Sequence, residues 1–400
     1  MLIGVFCLGA RPVHVKKVAA IVTVYHHNSH ADIIVSRLLQ TDTLDGKGND
    51  SPLQLVSLYT DQKPGNDISR MLAASHRFPI HETIEDALTL GTGRLAVDGV
   101  LIVGEHGNYP RTATGNTRYP KRRFWEATLA VFKASGRVVP VFFDKHLADN
   151  WQDAKWIYDT AARMQVPMIA GSSLPITWRR PAIDVKRGCR IDRIVAVTYG
   201  STDSYGFHAL ELVQALAEQR AGGETGLKFV RCLSGDAVWE ACDARLIDPD
   251  LFQAAMDRAG ASTDGLPERV KQPLCFCLEY ADGLHAYVLE LNGVVSHWSA
   301  AWRLGGSDRI ESTQAWTQEG RPGMHFTYLL HGIERLMLTG EPTWPLERTL
   351  LTSGALDALL ISKVQGGRHL ATPHLELSYT SNWRWKQPPP PPVMRPWSEQ

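Results

Sequence analysis

From Val18 to about residue 180 the chain alternates short apolar runs with amphipathic stretches. Val18–Val24, Leu53–Tyr59, Gly99–Val103, Val138–Phe143 and Pro167–Ala170 read as strands. Between them Ile33–Leu39, Ile68–Ala74, Thr83–Leu90, Arg123–Ala134 and Ala148–Met164 read as helices from their apolar periodicity. Strands separated by helices predict a parallel, doubly wound sheet. The near-continuous apolar runs Gly99–Val103 and Val138–Phe143 fit strands covered on both faces. After Pro181 the pattern lengthens and alternates, as in Ile194–Tyr199, Leu274–Glu279 and Ala286–Leu291, which suits an antiparallel sheet. The predicted architecture is an α/β, Rossmann-like domain over 18–180, then an α+β domain with a large, mostly antiparallel sheet over 181–382. An N-terminal extension (1–17) and a Trp/Pro-rich tail (383–400), expected to be extended and solvent-facing, flank them.

In a parallel sheet the chemistry gathers at the carboxyl ends of the strands. The first strand runs into Tyr25-His-His-Asn-Ser-His30-Ala-Asp32, with no glycine between Lys17 and Asp45. A pyrophosphate must approach the N–H groups of a helix N-terminus without Cβ obstruction, so this loop is poorly suited to cradling one. It is instead rich in imidazoles. The strand Gly99–Val103 leads into Gly104-Glu105-His106, and Val138–Phe143 leads into Asp144-Lys145-His146. Imidazoles and carboxylates converging on one crevice are the inventory of a divalent-metal site, here His30, Glu105, His106, His146, His208 and Glu211.

His208 and Glu211 lie three apart in Gly206-Phe-His208-Ala-Leu-Glu211 and share one helix face, with Glu218 further along it. Such a pair serves as an oriented general base or as two metal ligands. The stretch Gly171-Ser172-Ser173 through Arg179-Arg180, together with Arg220 and Glu224, supplies candidate substrate contacts. No G-x-S-x-G elbow surrounds Ser172, which argues against a serine nucleophile. Trp298, Trp302 and Trp316 cluster in the second domain, as core or as faces for stacking on a sugar ring.

Composition narrows the partners. With 42 Lys+Arg against 42 Asp+Glu there is no electrostatic footprint for nucleic acid or an anionic membrane. Six cysteines form no C-x-x-C pair, and Cys275 and Cys277 point to the same face of a strand, so reduced, structural thiols are expected. The apolar opening Met1–Ala10 has no preceding Lys or Arg and is short for a secretory core, which favours the cytoplasm.

The order of these parts resembles the glucose–fructose oxidoreductase / inositol dehydrogenase (Gfo/Idh/MocA) superfamily from about Val18 to Leu377. Val141-Phe-Phe-Asp144-Lys145-His146 stands where that family has Glu-Lys-Pro, and Gly206-Phe-His208-Ala-Leu-Glu211 is similar to its Gly-x-His-x-x-Asp motif. Gly340-Glu-Pro-Thr-Trp344 and Ala358–Gly367 resemble its closing segment. The resemblance implies Lys145 and His208 as catalytic residues near a substrate, and Asp61 as a binder of a nicotinamide ribose. The glycine turn is absent and His146 replaces proline, which marks a divergent branch.

The leading expectation from the residues is a metal-dependent hydrolase or lyase acting on a polar, carbohydrate-like small molecule. Its catalytic groups are Lys145, His208 and Glu211, its cofactor is a divalent ion, and its state is a homo-oligomer. The second reading is an NAD(P)-dependent sugar or polyol oxidoreductase, and the third a non-catalytic sugar-binding protein.

Overall fold

A computed structural model describes residues 15–389. The Met1–Ala10 stretch, Cys7 and Pro390–Pro392 lie outside the described residues. The first sheet comprises β1 (Lys16–Val22), β2 (Leu53–Thr60), β3 (Ile80–His81), β4 (Gly99–Val103), β5 (Val141–Asp144) and β6 (Met168–Gly171). All its pairs are parallel, in the order β3-β2-β1-β4-β5-β6. The order reverses between β1 and β4, which opens a crevice beyond their carboxyl ends.

Helices α1 (His30–Val35), α2 (Ser69–His76), α3 (Ile84–Thr89), α4 (Lys121–Ser135) and α5 (Trp151–Arg163) connect these strands. Apolar periodicity places the first helix at Ile33, but it begins three residues earlier, because the Ser29 hydroxyl accepts the Asp32 N–H and caps it. At only six residues, α1 cannot cover its face of the sheet alone.

The second sheet comprises β7 (Arg179–Arg180), β8 (Ile191–Thr198), β9 (Leu227–Ser234), β10 (Leu274–Tyr280), β11 (His285–Glu290), β12 (Trp298–Leu304), β13 (Ile310–Ala315) and β14 (Leu370–Ala371). Its order is β14-β9-β10-β11-β8-β12-β13-β7, and every pair but β8–β11 is antiparallel. The remaining helices are α6 (Ser204–Ala217), α7 (Asp236–Asp243), α8 (Pro249–Arg258), α9 (Leu266–Arg269), α10 (Phe326–Thr339) and α11 (Leu346–Val364). In β8, Ile194 and Ala196 pack under α6 and α11, while Val195 and Val197 pack under α7 and α8. Both faces of this sheet are therefore covered, so β8 buries every residue from Ile194 to Thr198 where an alternating strand was expected.

After β13 the chain returns to the first sheet. Leu329, Ile333 and Leu336 of α10 join Ile33 and Ile34 of α1 over Val18, Ala20 and Val103, completing the face that α1 leaves open. α11 then spans both cores, with Leu350 in the first and Leu351 and Leu359 in the second. Its polar side is held by a fully buried ion pair, Arg348 to Glu218 of α6, at 3.0 and 2.5 Å. Among the described residues no helix is long and apolar enough to cross a membrane.

Over its described residues, 383–389, the tail alternates exposed positions with docked ones. Trp385 Nε1 donates to the Thr177 carbonyl, and the Arg348 and Arg179 guanidiniums stack on Trp383 and Trp385. Those indole faces supply apolar area and cation–π contact that composition alone does not reveal. Cys275 and Cys277 share a face as expected, with their sulfurs 4.0 Å apart.

At the junction of the two sheets His146 lies buried against Phe207 of α6, and neither ring nitrogen has a hydrogen-bond partner among the described residues. Burial and the neighbouring Lys121 charge push this imidazole down to about 3 from its ordinary 6.5. Its neutral form thus favours the fold fully above pH 6.5, and that contribution is lost as pH falls toward about 3. His146→Leu is expected to flatten the decline of urea-measured stability across this window; an unchanged slope would count against it. Glu218→Gln, which leaves Arg348 buried without its carboxylate, is expected to cost about 3–5 kcal/mol, read from the denaturation midpoint.

Candidate functional site

A cavity of ≈ 160 Å³ opens at the carboxyl ends of β1, β4 and β5, where the second sheet meets the first. For scale, an engineered apolar cavity of about 150 Å³ takes up benzene, so one six-membered ring fits here. Asn28 and His30 reach it from the β1 end, His106 from the β4 end and Lys145 from the β5 end. Ser204, Tyr205 and His208 of α6 form the opposite wall, with Trp298 of β12 beside them. Asn28, His106 and Lys145 all hold positive φ (60, 67 and 49°) without being glycine, so three strand-end loops carry backbone strain at this one place.

Lys145 is fixed by a buried charge cluster. Glu105 lies 2.9 Å from Lys121 Nζ and 3.2 Å from Lys145 Nζ. Burial opposes ionisation of Glu105, but the two ammonium charges outweigh it and hold the carboxyl well below its ordinary value. Lys121 also donates to the Asp144 and His146 carbonyls, tying the end of β5 to that of β4. Lys145 Nζ is left to donate to Ser204 Oγ at 2.6 Å, at the cavity wall.

His208 is neutral at physiological pH, because burial and the nearby Lys145 charge push it well below 6.5. Its Nδ1 meets Ser172 Oγ at 2.5 Å, and that oxygen accepts the Leu174 N–H at 3.0 Å. Among the described residues Nδ1 is the one hydrogen-bond acceptor recorded for the Ser172 hydroxyl, and we assign His208 the matching tautomer, with its proton on Nε2 as a donor. Tyr205 and Trp298 stack on each other at 5.1 Å, an aromatic wall suited to a sugar's C–H face.

Several sequence candidates lie elsewhere. Glu211 is fully buried and accepts from Thr349, Thr352 and the Ser172 N–H, so it braces α6 against α11 and the loop after β6. Arg220 pairs with Glu224 and Asp282, Arg179 pairs with Asp184, and none of them lines the cavity. Ser172 acts on the cavity only through His208, while Ser173 Oγ is buried without a partner among the described residues. The residues missed from sequence are Ser204 and Tyr205, together with Gln318, Glu319, His325 and Phe326 on the segment returning from β13. That segment lacks strand or helix periodicity, so only the fold links it to β1.

The proposed metal centre is not assembled. Among the described residues no group of three or more His, Cys, Asp or Glu is placed to hold an ion. The physical reason is that the carboxylates are already engaged, Glu105 by two ammoniums and Glu211 by hydroxyls and a backbone N–H. Of the expected ligands, His30 and His106 meet edge to face at 5.1 Å, while His146 is sealed in the junction.

Beyond the cavity, the crevice runs to Asp61 at the end of β2. Tyr59 and Arg123 donate to its Oδ1, and Tyr109, from the loop after β4, donates to its Oδ2 at 2.8 Å. Gln62 and Asn108 exchange two hydrogen bonds of 2.9 Å beside this contact. At the start of α1, Asp32 accepts the Asn28 N–H and is paired with Arg321 at 3.0 Å.

No protein-family model and no curated protein matches the sequence. Solved structures do match in fold. GenD2 from gentamicin A biosynthesis, in complex with NAD, superposes with a TM-score of 0.56 at 13% identity, over 92% of this chain and 99% of its own. The apo scyllo-inositol dehydrogenase from Lactobacillus casei gives 0.54 at 11%, over 88% and 98%. A putative myo-inositol dehydrogenase from Sinorhizobium meliloti 1021 gives 0.53 at 13%, over 89% and 99%. These dehydrogenase likenesses, with the unassembled metal centre, overturn the expectation of a metal-dependent hydrolase or lyase and of a divalent ion ranked ahead of NAD(P). The chain shares the fold of these structures, a parallel sheet followed by a mostly antiparallel one, at a wide distance in sequence.

Proposed function

We propose that the chain is an NAD(P)-dependent oxidoreductase that oxidises a hydroxyl of a sugar or polyol held in the cavity. The observation that carries this reading is the convergence of Lys145, Ser204 and the neutral donor His208 on a cavity sized for one ring, at the end of the switch-point crevice. Lys145 and His208 would both donate to the same substrate oxygen, stabilising it as negative charge develops there. The Tyr205–Trp298 wall would bind the ring's apolar face and exclude water. A bound nicotinamide supplies the hydride acceptor.

The chain's residues fit a dinucleotide at both ends of the crevice. Lys145 and His208 serve the reacting end, and Asp61 is the carboxylate at the end of β2 that takes ribose hydroxyls in this kind of fold. Between them stand the Tyr109–Asp61 and Gln62–Asn108 contacts, which the ribose must displace. Each hydrogen bond contributes about 0.5–1.5 kcal/mol net, small beside the about 7 kcal/mol of a 10 μM complex. Displacing these contacts therefore weakens dinucleotide affinity without abolishing it.

Incubation with NAD or NADP and a panel of inositols and aldoses is expected to generate reduced nicotinamide, followed by its near-ultraviolet absorbance. Lys145→Ala should lower that rate about 10²–10⁴-fold, measured below the variant's own melting temperature, which should also fall because buried Glu105 loses one of its two ammonium partners. Absence of turnover by the wild type across the panel with both nucleotides would overturn the reading. Freeing Asp61 with Tyr109→Phe is expected to tighten nucleotide binding about three- to tenfold by calorimetry. Unchanged or weaker binding would place the ribose elsewhere.

A further inference from the structure

Oxidation of a hydroxyl releases a proton, and the groups assigned so far are all donors. Lys145 Nζ is committed to Glu105 and Ser204, and Ser172 fixes His208 with its proton on Nε2. Another group at the cavity has to accept. His106 is half-buried, and its Nδ1 is buried without a partner among the described residues. The fourth candidate is arranged quite differently.

His30 Nδ1 lies 2.7 Å from Asp144 Oδ2, and the two residues come from the ends of β1's loop and of β5. Asp144 is 1% exposed, and its second oxygen, Oδ1, is buried without a hydrogen-bond partner among the described residues. A buried carboxylate accepting from Nδ1 fixes the proton there and leaves Nε2 as a bare lone pair. The ring cannot turn away, because it is wedged edge to face between His106 at 5.1 Å and Phe326 at 5.2 Å. His30 lines the cavity with its free edge, and Nε2 bonds no described residue.

The geometry points to His30 as the general base of this site, with Asp144 as the residue that positions it. As the substrate O–H bond breaks, the proton passes to His30 Nε2 and the carbinol carbon gives up its hydride to the oxidised nicotinamide. The C–O bond becomes a carbonyl, and the resulting imidazolium is held by the Asp144 carboxylate, whose Oδ1 has spare accepting capacity. The sequence reading counted His30 among metal ligands. Its Nδ1 is instead turned to a carboxylate, and its ring lines the same ring-sized cavity as the two donors. This assignment rests on the polyol-oxidising reading for its substrate, while the dyad itself rests on the His30–Asp144 contact.

The test pairs kinetics with nitrogen NMR of the full chain. His30→Ala is expected to lower kcat about 10²–10⁴-fold while polyol affinity by calorimetry stays within a few-fold, and free imidazole should restore part of the lost rate. Asp144→Asn is expected to lower kcat by a smaller factor and to shift the His30 nitrogen signals away from the Nδ1-protonated pattern of the wild type. A wild-type kcat in His30→Ala, or a wild-type His30 protonated on Nε2, would overturn the assignment. Should the wild type oxidise no polyol, the functional reading falls, while the nitrogen signals still decide the dyad.

Discussion

The site depends on one buried carboxylate. Glu105 carries two ammonium groups in a space closed to water, and each of the three charges is tolerable there only because the others are present. Lys121 reaches it from α4 by lying along Gly104, where a Cβ would stand 2.9 Å from the lysine stem. Any larger residue at Gly104 would lift Lys121 out of the cluster. With Lys121 also holding two carbonyls after β5, the ends of β4 and β5 form one rigid platform. Lys145 can adopt its left-handed backbone, at φ 49°, because this platform holds it on both sides.

A second layer of polar contacts joins that platform to the other domain. Glu211 and Glu218 of α6 both turn toward α11, the first to threonine hydroxyls and the second to Arg348. They lie one heptad apart, so the face bearing His208 is fixed along its length. His208 is then aimed by Ser172, which follows β6 of the first sheet. The hydroxyl that sets the proton on His208 thus follows the first sheet, while the ring sits on a helix packed on the second.

Much of this was legible in the chain. Apolar runs ending in Glu105-His106 and Asp144-Lys145-His146 mark strand ends, and the parallel order brings them to one edge without further information. Residue type there was readable and role was not. Whether Glu105 binds a metal or neutralises lysines depends on Lys121, sixteen residues on, which reads from sequence as an ordinary helix start. Likewise Glu211 shares a helix face with His208, yet Thr349 and Thr352 of α11 claim it. The 316–326 segment was unreadable because its burial follows from α1 being too short, a fact about packing on a distant sheet. The missing glycine speaks only to the pyrophosphate contact and does not decide the reaction, and the likeness of fold to dehydrogenases weighs against the hydrolase or lyase drawn from it.

The covering of the second sheet on both faces has a consequence for how this molecule can associate. A half-covered sheet offers an apolar plane on which a second copy can settle, and here α7 and α8 occupy that plane from within the same chain. Only the edges of the sheet are left as pairing surfaces, and both end in strands of two residues, β7 and β14. At β7 the Gln387 side chain already accepts the Arg179 N–H, filling a place that a foreign strand would otherwise take. The described part of the tryptophan-rich tail thereby blunts this edge of the second sheet.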